Sequence, residues 1–245
     1  MIRPTVFLLS LLVPSLCYGQ ACEGKVFAEG SRIGLSGCLS EALVSRAIEL
    51  MPSDLSEFVV QSQGGDVVAA LILARELSKR RANIRIRGFC HSSCANYIIP
   101  AGVKAVVEAG SQIAFHGDAR ITVQFQAATL AANPTIEGAI REILQSEERF
   151  DSQNPRASLI HDAQLVVLSN EVVTVRVGLT CKGLGYSRWT PSNSVLLKMG
   201  LLDEVVPISN EIMAMIQFKS SEDFSLDGGY AADPIVACAG SADSK

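Results

Sequence analysis

The sequence predicts an α/β domain built on a mainly parallel sheet. Three observations carry that expectation. Apolar runs without alternation, such as Phe58-Val59-Val60, are what a strand buried on both faces requires. Between them lie segments whose apolar residues recur at helical spacing, as Val67, Ala70, Leu71, Ala74 and Leu77 do. Finally, strand-like and helix-like segments take turns along the chain, which is the pattern of crossover-connected parallel strands.

Taken in order, Arg32 to Leu35 reads as a strand and Ser40 to Met51 as a helix with Ala42, Leu43, Ala47, Ile48 and Leu50 apolar. Pro52-Ser53-Asp54 ends that helix. Glu57 to Gln61 is a strand, Val67 to Arg81 a helix, Ile84 to Arg87 a strand and Ser93 to Ile99 a helix stopped by Pro100-Ala101-Gly102. Short strands follow near Val103–Val107 and Gln112–Phe115. Beyond His116 the pattern turns helical, at Ile136 to Phe150 and Ser158 to Leu168, around the break Asp151-Ser152-Gln153-Asn154-Pro155. Val172 to Val177 is strand-like, Thr190-Pro191 is a good helix start for Ser192 to Met199, and Leu201 to Val206 returns a last strand. Trp189, the only tryptophan, is expected in the core.

The ends read differently. Arg3, the apolar run from Val6 through Leu16 and the small residues Cys17 and Gly19 describe a secretory signal peptide, residues 1–19. Lipidation at Cys22 is the weaker alternative, since Gly19-Gln20-Ala21 lacks the leucine such a site expects. Residues 20–219 form the domain, and residues 220–245 a polar tail expected to be poorly ordered. The expected location is therefore periplasmic or secreted. The mature chain holds no apolar stretch of spanning length, so no membrane span is expected. Removing Arg3 makes it one charge more acidic than the −4 of the full sequence, and no basic run argues for nucleic acid.

Of seven cysteines, Cys17 lies in the leader, leaving Cys22, Cys38, Cys90, Cys94, Cys181 and Cys238. An even number in an exported chain is compatible with disulfides. The favoured pairing is Cys22–Cys38, Cys90–Cys94 and Cys181–Cys238, although sequence cannot choose among the pairings of six. Cys90-His91-x-x-Cys94 supplies too few ligands for zinc and one residue too many for a redox dithiol, so a structural disulfide is preferred there. No metal and no cofactor is expected.

Three turns fall just past strands, at the sheet edge where such folds gather ligands. Gly64-Gly65 lacks β-carbons, so its amides can approach an oxyanion beside a helix start. Taken alone it is a tight turn. Ser92-Ser93 lies between an apolar strand and an apolar helix; by default one serine caps the helix, which frees the other hydroxyl for a cleft. His116 ends a strand and titrates near neutrality, as a general base should, whereas His91 points elsewhere and His161 is expected on the surface. Oxyanion amides, a nucleophile and a base are the parts of a serine hydrolase.

With these residues in view, the chain resembles the Clp protease/crotonase superfamily, and specifically its exported ClpP-like members, over roughly Arg32 to Val206. The family's Ser-Pro-Gly-Gly looks like Ser62-Gln63-Gly64-Gly65, with Gln63 in place of the proline. Its nucleophile precedes the glycine of a helix-closing Ala-Gly by nine residues, which from Gly102 gives Ser93; counted from Cys90, related exported sequences favour Ser92. Its Met-Ile-His looks like Ala114-Phe115-His116, and its Gly-Leu-Val-Asp like Gly200-Leu201-Leu202-Asp203. The family's aspartate lies twelve residues before that last glycine, and Arg188 stands there instead. Asp118, Asp162 or a backbone carbonyl would then have to orient the base.

The resemblance implies a ClpP/crotonase-like spiral of ββα units. It also implies an ATP-independent serine peptidase acting on peptides or unfolded chains, with Ser93 as nucleophile, Ser92 as the alternative, His116 as base and Gly64 and Gly65 as oxyanion donors. Relatives form rings, so a homo-oligomer using the Ile136–Phe150 region is expected. The alternative is an inactive peptide-binding or scaffold descendant, which Arg188 favours. An acyl-CoA enzyme of the crotonase branch is disfavoured by export.

Overall fold

The computed structural model describes residues 24–176 and 178–208, so the leader, Cys22, the polar tail and Cys238 lie outside the described residues. Strand β1 (Lys25–Glu29) folds back antiparallel on β2 (Arg32–Ser36). Helix α1 (Glu41–Leu50) leads to β3 (Glu57–Ser62), and α2 (Val67–Arg80) leads to β4 (Asn83–His91). A π-helical turn (Cys94–Ile98) and α3 (Ile99–Ala101) follow, then β5 (Ala105–Glu108) and β6 (Gln112–Ala114). Four helices come next: α4 (Ala119–Phe125), α5 (Ala127–Ala131), α6 (Pro134–Gln153) and α7 (Pro155–Leu168). A two-stranded ribbon of β7 (Val172–Thr174) and β8 (Thr180–Lys182), helix α8 (Asn193–Lys198) and β9 (Glu204–Val206) are the last elements among the described residues.

The expected α/β class holds. The main sheet runs β1-β2-β3-β4-β5-β9, with β6 also on β4, and every pairing in it except β1–β2 is parallel. Its core combines Ile33, Leu35, Phe58, Val60, Ile84 and Ile86 with Leu71, Leu73 and Leu77, all essentially excluded from water. Local sequence sets the boundaries: Ser40 and Asp66 cap α1 and α2 through bonds to Leu43 and Ala69 N–H, and Pro134 and Pro155 open α6 and α7. Among the described residues no helix is long and apolar enough to cross a membrane.

Strand β4 is the element that builds the site, and it is longer than the sequence suggested. Its first half pairs with β3 and β5, and its last three residues pair with β6. Between Val60–Ile86 and Ser62–Cys90 the register slips by two residues, at Arg87 and Gly88, where Gly88 takes φ +71°. Such a bulge re-aims a strand without ending it. Here it turns the tip of β4 toward β6.

Candidate active site

Three strand ends meet at one edge of the sheet. At the end of β3, Gly64 and Gly65 take φ +91° and +150°. A β-carbon on Gly64 would lie 2.7 Å from Ser92 Cβ and 2.8 Å from the His91 carbonyl oxygen, so only glycine lets the two strand ends pass this closely. The Gly64 N–H donates to Ser62 Oγ at 3.1 Å and is therefore occupied. Leu39 N–H donates to the Gly64 carbonyl and Asp66 N–H to the Leu39 carbonyl. By strand alternation the Gly65 amide and carbonyl face the other way, toward the tip of β4. Ser93 Oγ donates to that carbonyl at 3.2 Å, and the Gly65 N–H beside it has no partner among the described residues.

At the end of β4, Ser92 adopts φ +56°, one of two non-glycine residues with positive φ among those described. A serine on a left-handed turn between strand and helix is held in a sparsely populated conformation, a device found where a hydroxyl is presented to a cleft. Two constraints hold it. Ser92 N–H donates to the Ala114 carbonyl at 2.9 Å, and the Cys90–Cys94 disulfide closes the turn with Cα atoms 5.3 Å apart. That pairing is the expected one; the other expected pairs each include Cys22 or Cys238, outside the described residues.

At the end of β6, His116 Nε2 lies 2.6 Å from Ser92 Oγ. The contact thus falls to Ser92, the alternative serine, and not to Ser93, the one preferred from the sequence. Ser93 is 2 % exposed with its hydroxyl directed at Gly65, whereas Ser92 is half-buried and faces the imidazole. Nor does a serine hydroxyl cap the helical segment here. The Ser93 N–H belongs to its first turn, where amides lack an intrahelical acceptor, and with no partner among the described residues it is a second donor beside Ser92.

His116 is fixed from behind. Phe115 and Trp189 exchange two backbone bonds of 2.8 Å and stack at 4.8 Å, with Trp189 wholly buried as expected. On the other side Gln164 accepts from Gly117 N–H at 2.8 Å and donates to Asn96, whose amide donates to the Gly117 carbonyl at 2.9 Å. One edge of the imidazole is open to solvent while protein surrounds the rest. Burial lowers its pKa, a bond to its own main chain opposes that, and nearby Arg188 lowers it further. His91 is pushed down to about 4, mainly by burial, with Gln112 opposing and Arg188 and His116 reinforcing.

The expected orienting acids do not serve His116. Asp118 accepts from Ile121 N–H at 3.0 Å, capping α4, and its other oxygen meets His161 Nδ1 at 3.0 Å. Burial works against its charge, yet those bonds and Arg120 hold its carboxyl below the usual range. Asp162, on α7, makes no bond to His116. His161 is a correction: it is 7 % exposed, not on the surface, because α7 packs it against the Asp118 turn. Beside it lies a buried set that sequence reasoning missed. Tyr97 OH donates to Glu147, which also accepts from Ala119 N–H at 3.1 Å, and Arg120 pairs with Asp151. Burial raises the Glu147 carboxyl to about 8.

Among the described residues no group of three or more His, Cys, Asp or Glu is arranged to hold a metal ion. No protein-family model and no curated protein matches the chain.

Proposed function

We propose that the protein is a serine hydrolase, a peptidase of the ClpP/crotonase-like spiral type, with Ser92 as nucleophile and His116 as general base. The 2.6 Å contact between His116 Nε2 and Ser92 Oγ carries this reading, on a serine held at positive φ beside two free amides. In the reaction Ser92 Oγ attacks the scissile carbonyl while His116 Nε2 takes its proton. The Gly65 and Ser93 N–H groups donate hydrogen bonds to the oxyanion. His116 then returns the proton to the leaving amine, and water, deprotonated by the same nitrogen, releases the acyl group from Ser92. This revises the sequence expectation in two places, since Ser93 contributes its amide instead of its hydroxyl and Gly65 acts without Gly64.

In the exported location expected from residues 1–19 no ATP drives an unfoldase, which is why the proposed substrates are peptides or unfolded chains. A second reading, an inactive peptide-binding descendant, is favoured by one observation: no carboxylate among the described residues bonds His116. A fluorophosphonate probe on disulfide-intact protein separates the two. Labelling that survives Ser93→Ala and is lost in Ser92→Ala and His116→Ala supports the proposal. Labelling that follows Ser93, or its absence from folded protein, defeats it.

A further inference from the structure

Arg188 is a charged group at this edge that the reaction above leaves unused. Phe115 and Trp189 form a hydrogen-bonded antiparallel pair, so the next residues along, His116 and Arg188, are cross-strand neighbours. Adjacent residues alternate faces, and cross-strand neighbours share one. The Phe115 and Trp189 rings stack inward, which turns His116 and Arg188 together toward the cleft. The charge of Arg188 is felt by both His116 and His91.

Yet Arg188 is half-buried and has no hydrogen bond or ion pair among the described residues. Asp118, two residues from His116, is committed to His161 and the α4 cap, and Asp151 to Arg120 and Arg176. A half-buried guanidinium with no carboxylate partner among the described residues is suited to take an anion, and its planar fork matches a carboxylate.

We propose that Arg188 is the specificity-determining residue of this site: it binds a carboxylate of the substrate and sets the neighbouring acyl group against Ser92 Oγ. The proposal rests on reading Ser92 and His116 as a hydrolytic pair. It assigns the two anionic oxygen sites to different donors, the developing oxyanion to the Gly65 and Ser93 amides and the substrate's permanent charge to the guanidinium. The substrate class is a peptide with a carboxylate next to the scissile bond, from either a free C-terminus or an acidic side chain.

The test is a titration followed by the histidine ring signals in NMR, using disulfide-intact protein and three probes. N-acetyl-alanyl-alanine carries the C-terminal carboxylate, its amide carries none, and N-acetyl-alanyl-glutamic acid α-amide carries only the side-chain carboxylate. Wild type should bind at least one acid about 10-fold or more tighter than the neutral amide, and the better acid identifies the source of the charge. Arg188→Gln should bring the ratio to about 1, and Arg188→Lys should retain part of it. Equal binding of all three probes by wild type, or a preference that persists in Arg188→Gln, overturns the assignment. If Arg188→Gln does not fold, an Arg188→Lys protein with undiminished preference and affinity overturns it equally. Fluorophosphonate labelling, whose probe has no carboxylate, is run in parallel. Labelling at Ser92 without any acid preference sinks the role of Arg188 and leaves the hydrolytic pair standing. Acid preference without labelling does the reverse.

Discussion

Replacing Gly64 by alanine tests whether the close passage of β3 and β4 is what positions Ser92. Two costs are separable. Alanine at φ +91° sits in the left-handed region, which costs roughly 1–2 kcal/mol, offset by about 0.4–1 kcal/mol from the stiffer unfolded chain. The new β-carbon would also lie 2.7 Å from Ser92 Cβ and 2.8 Å from the His91 oxygen. Neither is the end of a flexible side chain, so the overlap costs about 1–3 kcal/mol more. Gly110→Ala isolates the first cost, since Gly110 has φ +79° with nothing within 4 Å of its β-carbon. Gly64→Ala is therefore expected to lose about 1–5 kcal/mol, and about 1–3 kcal/mol more than Gly110→Ala.

Urea unfolding followed by the fluorescence of Trp189, the single tryptophan, measures both variants. The functional consequence follows from the same contact. Restoring ordinary contact at 3.4 Å requires Ser92 to retreat by about 0.7 Å, the gap between 2.7 and 3.4 Å. A displacement of that size slows fluorophosphonate labelling by up to about 100-fold. If Gly64→Ala matched Gly110→Ala within about 0.5 kcal/mol and labelled at the wild-type rate, the strand crossing would not be what places the serine.

Two further outcomes follow from the structure. Glu147 keeps its proton to about pH 8 in the folded protein but ionises near 4.5 when exposed, so folding takes up a proton between those values. Stability should then fall as pH rises through that window, with a slope approaching about 1.4 kcal/mol per unit, and be indifferent to this group outside it. Glu147→Gln should remove that component in urea unfolding at a series of pH values, and an unchanged slope would contradict it. The Cys90–Cys94 bridge closes a short loop, for which constraint of the unfolded chain predicts about 2 kcal/mol. The Cys90→Ala/Cys94→Ala protein should lose at least that much and label about 10-fold more slowly, because Ser92 lies inside the loop; wild-type labelling would show that the turn holds itself.

The scaffold was legible wherever one physical signal dominated. Phe58-Val59-Val60 could only be a buried strand, and the apolar face of α2 gave its length within one residue. Strand β4 was cut short because Gly88 resembles a stop, whereas the chain uses it as a bulge and continues in register with β6. The strand β1, helices α4 and α5, and the ribbon strand β8 carry little periodicity and owe their shape to what they pack against. Which of Ser92 and Ser93 meets His116 was not legible for a sharper reason. The two residues are chemically identical neighbours, and the choice depends on which takes the left-handed turn, set by Gly64, the disulfide and the Ala114 carbonyl together. The ring of Asn96, Gln164 and Gly117 is likewise tertiary: its members are dozens of residues apart and no spacing announces them.

What Arg188 does to the proposed reaction has a definite sign. In a Ser-His-Asp triad the acid accepts the second imidazole proton and stabilises the imidazolium that forms when serine is deprotonated. Here the cross-strand neighbour of His116 is a donor with a fixed positive charge, so the neutral imidazole is favoured and the imidazolium opposed. The base is thus ready at neutral pH but gains less on accepting the proton. A triad without its acid loses about 10⁴-fold in rate, while oxyanion donors and binding alone keep about 10³–10⁴ over water. A carboxylate bound to Arg188 would cancel the opposing charge at the moment of proton transfer, which couples recognition of the substrate to its cleavage. An uncharged peptide should therefore be a poor substrate through kcat as well as through KM, and an acid-bearing one should recover both.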